Sequence, residues 1–324
     1  MDLGGTKILS VVAGSGGKML SRDYTSTPAG KGPEAVIQAI LKSAVRTLKN
    51  AGLSKDEIKA IGIAVAGISN PETGILYTSP NLPGWKDVPV RDMIQRELGI
   101  KTFLTNDARA AALGEFCFGA GKGARNLIYI TLSTGIGGGI IIDGKLYEGA
   151  GGAAGEIGHM TIDVNGPQCN CGNTGCWETL ASGTALAREA KRRIEQGAST
   201  AILSHSKGKI GLVTAQSVHA AALEGDKLAR ELIRQTGCYV GVGLANLINI
   251  FNPELIIIGG GLSHVGDMLM EPAKEVAKER AFKASYEAVR LVFARLGDDA
   301  GALGAVAFAH QQAGAGLKPT PTYK

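Results

Sequence analysis

The sequence predicts an α/β protein of two domains with a duplicated core facing a shared cleft, and three observations carry that prediction. Apolar strand-sized runs ending in glycines recur between segments of helical periodicity. A chain of 324 residues exceeds one ordinary domain and suggests two, each able to bury a core. Two stretches, one opening each half, share the order strand, glycines with threonine, apolar strand, Gly turn, short strand.

Composition narrows the functional classes. Hydrophobic content of 44% with 19% charged residues is that of a soluble globular protein. The net charge of +5 is spread along the chain without a basic block, so nucleic-acid binding is not expected. Five cysteines, three of them in one loop, indicate a reducing cytoplasm rather than a disulfide framework. Neither a signal peptide nor an apolar run of membrane-spanning length is seen.

The first repeat begins at Leu3-Gly4-Gly5-Thr6-Lys7, runs into the apolar strand 8–13, turns at Gly14-Ser15-Gly16-Gly17 and continues at Lys18. Gly4 and Gly5 let backbone N–H groups approach an anion, and Thr6 and Lys7 add a hydroxyl and a charge. The spacing is not that of a Walker A loop. Pro33 and Glu34 start a helix with Ile37, Ile40, Leu41, Ala44, Val45 and Leu48 inward, stopped by Gly52. A buried strand over 58–66 ends at Gly67, a hairpin follows around Gly74, and prolines make 79–85 a loop containing Asn81. Pro89 opens a helix reaching Leu98.

A short strand over 102–105 precedes Asn106-Asp107-Ala108 and an Ala-rich helix to Phe118. Asp107 at this junction is either a helix N-cap or a base at the carboxyl end of a strand, and local sequence leaves both open. The second repeat is the strand 126–134, then Gly135-Ile136-Gly137-Gly138-Gly139, the apolar run 140–142, a turn at Asp143-Gly144 and a strand at 145–147. Two anion-cradling loops from opposite walls suit a nucleotide's polyphosphate.

Residues 156–178 hold Glu156, His159, Cys169, Cys171, Cys176 and Glu178. One imidazole and three thiolates form a ligand set for a closed structural zinc site, and the interspersed glycines let the sulfurs converge. Ser182 or Thr184 caps a helix to Glu195, and further helices cover 215–223 and 227–251. A buried strand over 254–258 runs into Gly259-Gly260-Gly261, where a flat ligand can lie against backbone. Gly301 opens the last helix, and 318–324, with two prolines, is expected to fray.

These pieces resemble the ROK (repressor, open reading frame, kinase) family of sugar kinases, and within it the ATP-dependent bacterial glucokinases. The resemblance rests on Asp2-Leu3-Gly4-Gly5-Thr6-Lys7, Asn106-Asp107-Ala108, Ser133-Thr134-Gly135-Ile136-Gly137-Gly138-Gly139, Glu156-Ile157-Gly158-His159, the run 169–178 and Ile258-Gly259-Gly260-Gly261. It implies an actin-like or hexokinase-like (ribonuclease H-like) fold, with a small lobe of 1–115 joined by a last helix at about 302–324, a large lobe of 116–301, and an ATP cleft between them. The implied activity is phosphorylation of a hexose, glucose foremost. N-acetylmannosamine, fructose or mannose are the alternatives, and a sugar-sensing regulator is the more distant one. Nothing precedes the first hairpin that could form a helix-turn-helix.

By the same resemblance Asp107 is the general base, and Gly67, Asn81, Asn106, Asp107, Glu156, His159 and Glu178 bind the sugar. Asp2, Gly4, Gly5, Thr6, Lys7, Thr134 and Gly135 serve ATP phosphates and Mg²⁺, with Gly260 and Gly261 under the adenosine. Zn²⁺ sits on His159, Cys169, Cys171 and Cys176 as a structural ion. The expected partners are a hexose and ATP, with neither nucleic acid nor membrane, in a homodimer or homotetramer. The family's first strand begins several residues ahead of this turn, so here either the start codon is assigned too late or the first strand is clipped.

Overall fold

The computed structural model describes residues 1–314. The expected fraying tail at 318–324, and the end of the helix placed at about 302–324, lie outside the described residues. Two compact units form, one of residues 1–129, 139–155 and 294 onward, the other of 130–138 and 156–293.

The first unit opens with β1 (Asp2–Leu3), β2 (Lys7–Ala13) and β3 (Met19–Ser26), followed by α1 (Pro33–Ala51) and β4 (Ile61–Val65). Next come β5 (Ile68–Asn70), β6 (Ile75–Thr78), β7 (Lys86–Val88), α2 (Val90–Leu98), β8 (Thr102–Asn106) and α3 (Asp107–Phe118). Its main sheet has the order β3-β2-β1-β4-β8, antiparallel from β3 to β1 and parallel from β1 to β8. Leu3, Ile8, Val36, Ile40, Ile63, Val65, Ile94 and Leu104 fill the core beneath it. In α1, Val45 is 57% exposed rather than inward. The buried face is turned toward Ser43, whose hydroxyl bonds Ser10 at 2.8 Å and Asp23 at 2.7 Å, and toward Thr47, which bonds the Ser43 carbonyl. Satisfied hydroxyls can go inside, and here they draw the helix around.

β1 is two residues long between longer neighbours. Beside it is a cavity of about 310 Å³ lined by Met1, Val12, Ala13, Ile58, Ala60 and Ala309 among others. The Met1 ammonium is buried there and donates to the Gly62 carbonyl at 2.7 Å, and burial pushes its pKa down to about 6.

The chain continues through β9 (Leu127–Leu132), β10 (Ile136–Ile142) and β11 (Lys145–Leu146), then α4 (Glu178–Ala181), α5 (Gly183–Glu195), α6 (Ala215–Leu223) and α7 (Lys227–Phe251). After β12 (Leu255–Gly259) come α8 (Asp267–Arg280), α9 (Lys283–Ala288), β13 (Arg290–Phe293) and α10 (Ala300–Gln312). The second sheet runs β11-β10-β9-β12-β13, antiparallel at the hairpin and parallel at its other edge. This repeats the layout of the first sheet, as the duplicated hairpins predict. β13 is an addition that the sequence reading did not contain.

The last helix, α10, packs on α3 and β4 of the first unit. Small residues set that approach: a Cβ on Gly304 would lie 1.6 Å from the Ala110 carbonyl, and one on Gly62 would lie 1.9 Å from that of Ala305. Glu115, fully buried in α3, accepts from the amides of Arg295 and Leu296 at 2.9 and 2.7 Å and ties the returning chain down.

Candidate active site

At the β8–α3 junction the helix cap is Asn106, not Asp107. The Asn106 side-chain oxygen accepts from the amides of Ala108 at 2.9 Å and Arg109 at 3.2 Å. Asp107 is the first helical residue, with one carboxylate oxygen on the Ala108 amide at 2.9 Å. Burial pushes its pKa upward, while the backbone amides and Arg109 oppose the shift. Asp2, from β1, interacts with it electrostatically. The Asp2 carboxyl is pushed up to about 6, by burial first and by Asp107 next. Two buried carboxylates, both raised in proton affinity by burial, are an arrangement suited to accepting a proton and holding a cation.

Other residues expected here gather in the same unit. The Asn106 amide nitrogen donates to the Gly67 carbonyl at 3.4 Å. Gly67 has φ +123° and is wedged against Thr78 and Ser79, where no side chain fits. A Cβ on Gly5 would meet the Asn81 carbonyl at 2.7 Å, which places Asn81 on the phosphate-type turn. The Gly4 amide is already committed to the Lys7 carbonyl at 3.0 Å, and Thr27 ties the turn from the other side through the Gly4 and Thr6 carbonyls. The Lys7 ammonium pairs with Asp298 at 2.8 Å, a hydrogen bond that raises its pKa. Gly4 and Lys7 are thus engaged within the protein.

In the second unit His159, Cys169, Cys171 and Cys176 present ligand atoms that all lie within 4.8 Å of one another. The Cys169 sulfur is 3.7 Å from His159 Nδ1, and the Cys171 and Cys176 sulfurs are 3.7 Å apart. The edge of a tetrahedron around zinc with its usual thiolate bonds is about 3.7 Å, so the donor set fits that ion in kind and in spacing. Backbone bonds build the loop: Cys169 N to Asn173 O at 2.7 Å, Gly172 N to Cys169 O at 3.0 Å and Gly175 N to Pro167 O at 2.8 Å. Burial pushes the Cys169 thiol up to about 12, and a bound dication would reverse that and hold it as thiolate. Nδ1 of His159 faces the sulfurs, which leaves Nε2 for another partner.

Glu178 joins this loop to the second glycine turn. One carboxylate oxygen accepts from the Ile136 amide at 3.4 Å, and the other accepts from Cys169 at 3.4 Å and lies 3.9 Å from His159 Nδ1. Trp177, fully buried, anchors the segment by donating to the Tyr239 carbonyl at 2.8 Å. Glu156 is exposed, and its carbonyl accepts from the His159 amide at 3.1 Å.

A cavity of about 550 Å³ opens in the same unit, lined by Thr134, Gly261, Thr184, Arg188, Gln216 and His219 among others. Thr134 and Gly261 were expected at a nucleotide, whereas Arg188, Lys191, Gln216 and His219 escaped the sequence reading. Their only signal is a three-residue spacing along two capped helices, α5 behind Ser182 and α6 behind Thr214. Both helix starts lie on the cavity wall, where their amides and the nearby cations favour a polar, anionic ligand.

The sequence model of the ROK family matches residues 1–312. A glucokinase of Halalkalibacterium halodurans is 38% identical over 306 residues, covering 94% of this chain and 92% of that protein. A xylose repressor of Caldicellulosiruptor bescii is 35% identical over 95% of this chain and 76% of its own length. The crystal structure of a ROK family glucokinase from Streptomyces griseus in complex with glucose and AMPPNP superposes with a TM-score of 0.82 at 35% identity, covering 96% of this chain and 98% of that one.

Proposed function

The chain belongs to the ROK family and is an ATP-dependent hexose kinase, and from that premise we propose that its preferred acceptor is glucose, phosphorylated on its primary hydroxyl with Asp107 as general base. The observation that carries the proposal is the buried Asp107 carboxylate at the end of β8, released from capping by Asn106 and raised in proton affinity. A sugar hydroxyl is a poor nucleophile, and a carboxylate that takes its proton as it attacks the γ-phosphorus removes that handicap.

The remaining roles follow from the chemistry of each group. Asn106, Gly67 and Asn81 are assigned to sugar hydroxyls, as are Glu156, His159 Nε2 and Glu178. Backbone amides of Gly5, Thr6, Thr134 and Gly135 orient the phosphates, and the 550 Å³ cavity with Gly261 takes the nucleoside. Asp2 is suited to hold hydrated Mg²⁺, which when bound offsets phosphate charge. His159, Cys169, Cys171 and Cys176 hold Zn²⁺ as a structural ion that fixes the His159 ring.

A panel of hexoses in a coupled ADP-release assay tests this, run on the parent and on Asp107→Asn. Glucose should give the highest kcat/KM. The variant should fold, retain glucose binding by calorimetry, and lose turnover by about a thousandfold. A parent without glucose turnover would sink the choice of sugar, and a near-normal variant would remove Asp107 as base.

A further inference from the structure

Arg109 is the third residue of α3 and is 3% exposed. That position is doubly unfavourable for a cation, since it is buried and lies at the positive end of the helix dipole. A group held there against both costs has a task, and its contacts indicate which. Its Nη1 donates to the carbonyl of Gly152, in a segment rich in glycine, Glu148-Gly149-Ala150-Gly151-Gly152-Ala153-Ala154-Gly155. Gly149, Gly152 and Gly155 all have positive φ, at +74°, +71° and +92°. Such a segment has much conformational freedom to lose. The fold pins it at its middle: a Cβ on Gly152 would fall 2.8 Å from the Pro71 ring, so Gly152 is lodged between Pro71 and the Arg109 guanidinium. Arg109 is itself fixed from behind, where a Cβ on Gly139 of β10 would come within 3.1 Å of its Cα. The pinned segment leads the chain directly into Glu156 and, three residues on, His159.

We propose that Arg109 is a positioning residue for sugar binding: its guanidinium, on the Gly152 carbonyl, fixes the glycine-rich segment from which Glu156 and His159 extend. This rests on the hexose-kinase reading above, and on Glu156 and His159 as hydroxyl ligands.

The test compares the parent with Arg109→Lys, Arg109→Gln and Gly152→Ala, the last disturbing the same clamp from its other side. Steady-state kinetics give KM for glucose and for ATP and kcat, melting gives Tm, and hydrogen exchange reports the amides of 149–155. In Arg109→Gln and Gly152→Ala the glucose KM should rise about tenfold, with kcat and the ATP KM within about threefold of the parent and faster exchange at 149–155. Arg109→Lys should recover part of the glucose affinity, since an ammonium can reach one carbonyl but lacks the planar fork. A lower Tm with unchanged glucose KM, or equal losses for glucose and ATP, would overturn the proposal. If the parent turns over no hexose, the kinase reading fails, whereas unchanged exchange at 149–155 in every variant refutes the clamp itself.

Discussion

Asp2 shows how function and stability pull against each other at a single residue. Its carboxyl rises from the ordinary 3.8 to about 6 on folding, through burial first and Asp107 second. A carboxyl raised in the folded state stabilises the fold while it is protonated. That contribution is complete below the unfolded value and is lost as pH rises through about 6. At pH 8 the ionised Asp2 therefore costs the fold up to about 3 kcal/mol, two pKa units at 1.36 kcal/mol each. Asp2→Asn should melt several degrees above the parent at pH 8, with the gap closing toward pH 4, while hexose phosphorylation falls sharply. Melting curves across that range, beside the ADP-release assay, check both halves. A variant no more stable than the parent at pH 8 would mean that the charge is already compensated, for instance by the Lys7 ammonium that opposes the shift.

At the scale of elements, residues 156–178 behave as one unit because few of their bonds are regular secondary structure. Short backbone bridges pair Thr161 with Cys176 and Gln168 with Thr174, and the side chains of His159, Cys169, Cys171 and Cys176 converge beside them. Binding energy for a structural zinc is then folding energy for the loop. Cys171→Ser, or exhaustive chelation of the parent, should lower Tm by about 5 °C or more and raise the glucose KM more than the ATP KM, because His159 loses its orientation. One zinc per chain by metal analysis is the expected stoichiometry, and its absence from active protein would end this account. The loop was legible because chemistry at fixed spacing announces itself. The hairpins were legible because glycine punctuates them, and Asn106-Asp107 because a polar pair interrupts a strand and a helix. Arg109 was not, because one cation in an Ala-rich helix looks solvated until burial is known. Arg188 and Lys191 carry no motif beyond their three-residue spacing. β13 hides for a related reason: four residues, Arg290–Phe293, half exposed at a sheet edge, offer neither alternation nor a continuous apolar run.

Over the whole molecule, the recurrence of one five-strand layout in two sheets means that each half solves the same packing problem, and the first unit completes its solution with chain from far away. Residues 294 onward return to it, tied by Glu115 and covered by α10. Small residues bring the backbones close there. Gly304 lies against the Ala110 carbonyl, Gly114 against that of Ala300 and Gly62 against that of Ala305, so backbone meets backbone. Gly304→Ala sets two effects against each other. Helix propensity favours alanine by about 1 kcal/mol. The added methyl, however, would lie 1.6 Å from the Ala110 carbonyl, a distance that no rotamer can relieve because Cβ has none, so α10 must move away from α3. Overpacking costs of about 3 kcal/mol or more outweigh the propensity gain. The variant should melt well below the parent, and hydrogen exchange should quicken in α3, α10 and β4 while the amides of α7 and α8, in the other unit, keep their protection. Gly261→Ala, whose Cβ meets no atom within 4 Å, is the matched control and should melt with the parent. A Gly304→Ala protein as stable as that control would show that α10 can shift at little cost, and the role assigned to its glycines would fall.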